Sequence, residues 1–161
     1  MSAEIKNLSP KPVWDYFYSL TQIPRPTGHM EAVTRFVESV GNALGLETLR
    51  DGVGNVLIRK PASPGRENHK TVTLQVHLDM VPQKNASVQH DFLTDPIDAY
   101  VEDGWVKARG TTLGADNGIG ASLALAVLAD DTLEHGPIEA LFTIDEEQSM
   151  DGAFGLKPNF L

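Results

Sequence analysis

Cysteine is absent from this chain. No disulfide framework can form, and any bound zinc has to be held by nitrogen and oxygen ligands. Positive charge is scarce as well: 13 Lys and Arg stand against 22 Asp and Glu, a formal charge of −9. That balance argues against a nucleic-acid partner and against an anionic membrane surface, and suits a well-solvated exterior. No apolar run is long enough to span a bilayer. Residues Met1 to Lys6 lack the apolar region of a secretory signal. A cytoplasmic location is the resulting expectation. The glycines at Gly114, Gly118 and Gly120 are not followed by the Lys-Ser/Thr of a phosphate loop, and G-x-S-x-G does not occur. Internal repeats and low-complexity tracts are also missing.

What is there is a chain of 161 residues with an ordinary apolar share of 41%. That is enough for one domain, or a piece of a larger one, with a real core. Ser9-Pro10 reads as a helix N-cap followed by a first-turn proline. Val13, Phe17 and Leu20 then share a face, which predicts a helix ending near Pro24. A second helix is expected from His29 to Leu44, striped by Val33, Phe36, Val37, Val40 and Leu44, with Gly45 at its C-terminal cap.

Strands follow. Leu46–Arg50 and Asn55–Arg59 flank Asp51-Gly52-Val53-Gly54, a hairpin signal, and Ile97–Val101 and Trp105–Ala108 flank Glu102-Asp103-Gly104, another. Thr71–His77 is rich in β-branched residues and predicts a buried strand. Gly118–Asp130 is apolar nearly all round, which predicts a helix buried on every side. Ile138–Ile144 reads as a further buried strand, and Glu146–Gly155 as an irregular or short helical segment. Strands alternating with helices in this way imply an α/β sandwich with a mixed sheet.

Three acidic or histidine-bearing pieces lie at the ends of these elements. His77-Leu78-Asp79 closes a strand. Residues i and i+2 of an extended segment face the same way, so an imidazole could bind a metal while the neighbouring carboxylate orients it. Asp116-Asn117 stands at the entrance to the apolar helix, where an Asp alone is commonly just a cap. Glu146 and Glu147 leave the Ile138–Ile144 strand. Adjacent strand residues point to opposite faces, so both can enter one site only if the backbone bends there. Taken singly, each piece has a plain structural explanation: a strand-end histidine, a cap, a solvated acidic pair. Taken together they are an imidazole, carboxylates able to bind or bridge metals, and a spare carboxylate to act as base, which is the inventory of a two-metal hydrolase. They also gather where ligands bind in open α/β sheets, outside the carboxyl ends of strands. His29, His69, His90 and His135 lie in polar or loop contexts and read as surface residues.

The segments His77-Leu78-Asp79-Met80-Val81-Pro82, Gly110-Thr111-Thr112-Leu113-Gly114-Ala115-Asp116-Asn117-Gly118-Ile119-Gly120 and Asp145-Glu146-Glu147, followed by Met150-Asp151-Gly152-Ala153, resemble the zinc-dependent exopeptidases of the aminoacylase/carboxypeptidase group. The resemblance runs over nearly the whole chain. It implies a three-layer α/β sandwich with a mixed sheet, two zinc ions, a small peptide substrate and dipeptide hydrolysis with a preference for Xaa-His. It implies His77 on one zinc, Glu147 on the other and Asp116 bridging both. Glu146 would be the general base on the water between the metals, Asp79 would orient His77, and the Asp116–Asn117 peptide would be cis. Gln148-Ser149 departs from the small, Gly-containing pair expected after the two glutamates. The group also carries a further carboxylate ligand, a smaller lid or dimerisation domain and a final His ligand beyond the segments matched here. Residues 1–161 are therefore expected to be the N-terminal part of a catalytic domain, with each zinc one protein ligand short of the usual three. The chain alone is expected to hydrolyse little, and the intact protein to be a homodimer through the further domain. A related tripeptidase or aminoacylase, and a non-catalytic domain that binds metal or a partner in the same acidic cleft, stay open as alternatives.

Overall fold

The computed structural model of the chain describes residues 2–161. A 3-10 turn, Ser2–Asn7, leads into α1 (Lys11–Thr21) and α2 (Glu31–Ala43). Strands β1 (Glu47–Arg50), β2 (Val56–Lys60), β3 (Val72–His77), β4 (Ala99–Glu102) and β5 (Trp105–Ala108) follow. Then come α3 (Ala115–Ala129), β6 (Ile138–Thr143) and the short α4 (Asp151–Phe154). The α/β architecture with a mixed sheet is the one that the alternation of elements implies. Four strands form a sheet in the order β1-β2-β6-β3, and β4-β5 is a separate hairpin. The β1-β2 and β2-β6 pairs are antiparallel, and β3-β6 is parallel.

Both hairpins follow from their turn residues. Asp51 Oδ1 accepts the backbone N–H groups of Val53, Gly54 and Asn55 at 2.8–3.0 Å, an Asx turn that folds β1 onto β2. Asp103 and Gly104 have φ of 51° and 78°, the two left-handed residues that a tight β-hairpin turn demands. The α1 start differs from expectation. Pro10 itself is the cap residue, in extended conformation, Ser9 makes no capping bond, and Pro12 is the proline of the first turn.

The main core lies between the sheet and the helices. Val33 and Val37 of α2 and Ala121, Leu125 and Leu128 of α3 pack with Val56, Ile58, Val76, Ala140 and Phe142 of the sheet. Complete burial of each large aliphatic side chain there contributes about 1.5–3 kcal/mol. A second cluster joins Ile5 and Phe17 to Ala99 and ties the hairpin to α1.

Two expected burials are incomplete. β3 is an edge strand of the described sheet, with β6 as its neighbour, so Val72 is 53% exposed and only its last two residues are buried. Helix α3 is covered by α1 and the sheet on one side only, and Leu123 is 47% exposed on the other. Residue type read as burial in both places, but the number of covering elements decided it.

This topology brings the site together. In the parallel β3-β6 pair His77 lies opposite Thr143, so both strands release their chains side by side. Helix α3 packs on both strands and brings its N-terminus to the same end.

Candidate active site

His77 is 6% exposed at the end of β3. Its Nδ1 lies 3.3 Å from Asp79 Oδ1 and 3.1 Å from the Asp79 carbonyl oxygen. Its Nε2 faces the other way, 3.0 Å from Asp116 Oδ1 and 3.8 Å from Glu146 Oε2. Asp79 is fully buried, and its carboxylate ties three segments together. It accepts the Thr27 hydroxyl at 2.8 Å, the Glu146 N–H at 3.0 Å and the Glu147 N–H at 3.1 Å.

The bend that the two glutamates require is made next to them. Asp145 has φ of 52° and Met150 φ of 55°, left-handed positions on either side of Glu146-Glu147-Gln148-Ser149. The Gly28 N–H donates to Asp145 Oδ1 at 2.7 Å, which fixes the first of them. Asn55, fully buried at the start of β2, braces the turn from beneath: it accepts the Ile144 N–H at 3.2 Å and donates to the Gly152 carbonyl at 2.8 Å.

Asp116 rides on a kink at the start of α3. Gly114 has φ of 69°, Asp116 and Asn117 have non-helical dihedrals, and regular helix begins beyond them. The Asp116–Asn117 peptide is cis, as the resemblance implies. A Cβ at Gly120 would collide with the Asn117 carboxamide, so that glycine makes room for the side chain folded over the first turn. The Asp116 side chain is not capping the helix. It is 85% exposed and turned toward His77.

The charges are strongly coupled. Burial alone would lower the pKa of His77, but the hydrogen bonds to Asp79 and Asp116, with the nearby charge of Glu146, raise it to about 9. Burial would likewise raise Asp79, yet its bonds to His77, Thr27 and the two glutamate N–H groups hold it well below the usual carboxylate range. Glu147 is pushed up, first by burial and then by its acidic neighbours Glu146, Asp116 and Asp79, against the pull of His77. Such a cluster favours a cation.

The five residues singled out in the sequence thus converge on one site. Among them His77, Asp116 and Glu147 each offer a ligand atom, all within 4.8 Å of one another. One imidazole nitrogen and two carboxylates are a donor set that fits a divalent metal ion. Among the described residues no other histidine joins the group, and neither do Asp145 and Asp151. Sequence reasoning missed Arg25, Thr27 and Asn55. Each acts through hydrogen bonds to residues distant in sequence, and no local pattern marks such contacts.

The chain belongs to peptidase family M20/M25/M40, whose sequence profile matches residues 73–158. It is 55% identical over 159 residues to the cytosol non-specific dipeptidase of Escherichia coli, a match that takes in 99% of this chain and 33% of that protein. The crystal structure of an aminoacylhistidine dipeptidase from Vibrio alginolyticus superimposes with a TM-score of 0.96 at 53% identity, covering 99% of this chain and 32% of that one. A tripeptidase from Staphylococcus aureus shares the fold, with a TM-score of 0.77 at 24% identity over 94% of this chain and 40% of its own. The chain spans about a third of the length of the two dipeptidases.

Proposed function

We propose that residues 1–161 form the N-terminal part of the catalytic domain of a zinc dipeptidase. The remainder of that domain, and a smaller lid or dimerisation domain, would belong to the rest of the intact protein. That protein would act in the cytoplasm as a homodimer and hydrolyse dipeptides, Xaa-His pairs such as carnosine among them. One observation carries this reading: the donors of His77, Asp116 and Glu147 converge within 4.8 Å, and Glu146, outside that set, brings its own carboxylate to 3.8 Å from His77 Nε2. The family membership and the names of the two dipeptidases support it. Among the described residues no helix is long and apolar enough to cross a membrane.

In this reading His77 and Asp116 would hold one zinc, and Asp116 and Glu147 would hold the second. Zinc, when bound, polarises the scissile carbonyl and makes water a stronger acid. Glu146 takes the proton of the attacking water and returns it to the leaving amine. Asp79 receives the Nδ1 proton of His77 in a hydrogen bond, which leaves Nε2 free to act as ligand. By holding the N–H groups of Glu146 and Glu147, the same carboxylate sets the ligand and the base side by side. A catalytic zinc normally takes three protein ligands, and these residues would supply two to each. The 161-residue chain by itself is therefore expected to bind zinc weakly and to turn over little.

The test is hydrolysis of carnosine and of dipeptides without histidine, by zinc-loaded and chelator-stripped protein. It is run on the 161-residue chain and on a protein continued to the length of the dipeptidases. Zinc-dependent turnover by the longer protein, with carnosine among its substrates, is expected. Full turnover after metal removal would overturn the reading.

A further inference from the structure

Arg25 lies between two prolines in the loop joining α1 to α2, a place where a charged side chain ordinarily reaches solvent. It is instead 2% exposed and heads the large buried side chains of the chain. Its hydrogen bonds go to backbone carbonyls. Nη1 donates to the Leu78 carbonyl at 2.9 Å and lies 3.5 Å from that of Asp79. Nη2 donates to the Gly114 carbonyl at 2.6 Å. The backbone of Arg25 is itself fixed, because its carbonyl accepts the Met80 N–H at 3.1 Å.

Those carbonyls belong to two of the three segments that carry the metal donors, those of His77 and Asp116. On one side, the Asp79 carbonyl is also 3.1 Å from His77 Nδ1. On the other, the Gly114 carbonyl also accepts the Gly118 N–H at 3.1 Å, closing the kinked loop on which Asp116 rides. A planar guanidinium fork can bond two separate segments at a fixed spacing, which a single ammonium cannot. The glycines fit the same account. A Cβ at Gly114 would lie 2.5 Å from Arg25 Nη2, and one at Gly118 would lie 2.8 Å from it. Gly114 needs its glycine for the left-handed backbone in any case. Gly118 does not, and a helical glycine costs about 1 kcal/mol against alanine, so the space it leaves for Arg25 and Phe17 is its reason.

We propose that Arg25 is a positioning residue for the metal site: its guanidinium sets the spacing between the strand exit bearing His77 and the loop bearing Asp116. The proposal rests on the reading of His77, Asp116 and Glu147 as metal ligands. It makes a prediction opposite in sign to simple electrostatics. A buried cation beneath a cation site repels the metal, so removing its charge should tighten binding; loss of positioning should weaken it.

The experiment compares Arg25→Met, Arg25→Lys, Gly118→Ala and Leu141→Ala with the parent chain. Leu141→Ala is a control for general destabilisation in the middle of β6, away from the site. Two readouts are used at one fixed pH: the 15N shifts of the His77 imidazole in the metal-free chain, and Co²⁺ titration followed by visible absorption. Both Arg25 variants are expected to shift the His77 Nε2 resonance and to weaken Co²⁺ binding tenfold or more. Leu141→Ala should do neither. Gly118→Ala leaves Arg25 present but displaces Nη2, and should move both readouts in the same direction even if the Arg25 variants do not fold. Unchanged His77 shifts in the folded variants, tighter Co²⁺ binding in Arg25→Met, full recovery in Arg25→Lys, or equal losses in Leu141→Ala would each overturn the proposal. A protein continued to the length of the dipeptidases that binds no Co²⁺, but whose His77 shifts depend on Arg25, would overturn the metal reading and leave the positioning role supported.

Discussion

Asp79 Oδ1 stands 3.3 Å from His77 Nδ1, on the opposite edge of the ring from Asp116. The same buried carboxylate accepts the Glu146 and Glu147 N–H groups, so it holds both glutamate backbones and the imidazole at once. Asp79→Asn keeps the shape but removes the charge, and turns an amide N–H toward one of the groups now donating to it. Hydrogen bonds to a buried charge contribute more than neutral ones, so this change should destabilise the metal-free chain by about 2–3 kcal/mol. Urea unfolding at neutral pH measures it. A change within about 0.5 kcal/mol, the range of an ordinary surface substitution, would remove Asp79 from this role.

His77 and Asp79 together favour stability of the metal-free chain on the acid side of neutrality. His77 is raised to about 9 in the folded chain, above its unfolded value of about 6.5. Its contribution is therefore complete below about pH 6.5 and is lost as pH rises toward 9. Asp79 is lowered, so its contribution is present above its unfolded value of about 3.9 and is lost as pH falls. Urea midpoints from pH 3 to 10 should fall on both sides of that window. His77→Asn should flatten the alkaline limb, and an identical decline in parent and variant would assign the limb to other groups.

Metal binding should run against the proton on the same imidazole. Below pH 9 the metal-free site is protonated at His77, and that proton has to leave before Nε2 can act as ligand. Apparent Co²⁺ or Zn²⁺ affinity should rise about tenfold per pH unit between 6 and 8 from this group alone. Asp116→Asn and Glu147→Gln should each weaken binding. A pH-independent affinity, or full affinity in both variants, would place the metal elsewhere.

Local chemistry made much of this fold legible. Asp51 and Asp103-Gly104 announce their hairpins because a turn is decided by a few adjacent residues. His77, Asp116 and the two glutamates were legible because each stands where a strand or helix begins or ends. Burial was legible only in part. Val72 and Leu123 have the character of core residues, but the chain places too few elements over them to cover both β3 and α3. The bracing residues were not legible at all. Arg25 and Asn55 read as a charged loop residue and the first residue of a strand, and only their partners across the fold, Gly114 and Gly152, show what they hold.

Asn55 offers a test of that bracing. It is fully buried, accepts the Ile144 N–H and donates to Asp51 and to the Gly152 carbonyl. Asn55→Ala leaves the Ile144 N–H and the Gly152 carbonyl without their partner. Each unsatisfied group costs about 1–3 kcal/mol, so a loss of about 2–6 kcal/mol is expected in urea unfolding. The loss should be local as well as global. Amide exchange of Glu146 and Glu147 should accelerate more than that of residues in β2 or β6, and uniform acceleration would show that Asn55 stabilises the sheet and not the turn.

Substituting Glu146, the proposed base, tests whether chemistry separates from metal binding. It lies outside the group of donors within 4.8 Å of one another, yet its carboxylate is 3.8 Å from His77 Nε2, and its backbone N–H is held by Asp79. Glu146→Gln preserves the side-chain size and that backbone bond while removing the proton acceptor. In a protein continued to the length of the dipeptidases, general-base catalysis of this kind is worth about 10²–10⁴-fold, and kcat should fall by that factor. Zinc affinity should change by less than the loss seen for Glu147→Gln, because only the latter substitution removes a donor. Turnover and zinc affinity measured on the same two preparations decide the assignment. If Glu146→Gln keeps its kcat, or if it releases zinc as readily as Glu147→Gln does, the division of labour between the two neighbouring glutamates is wrong.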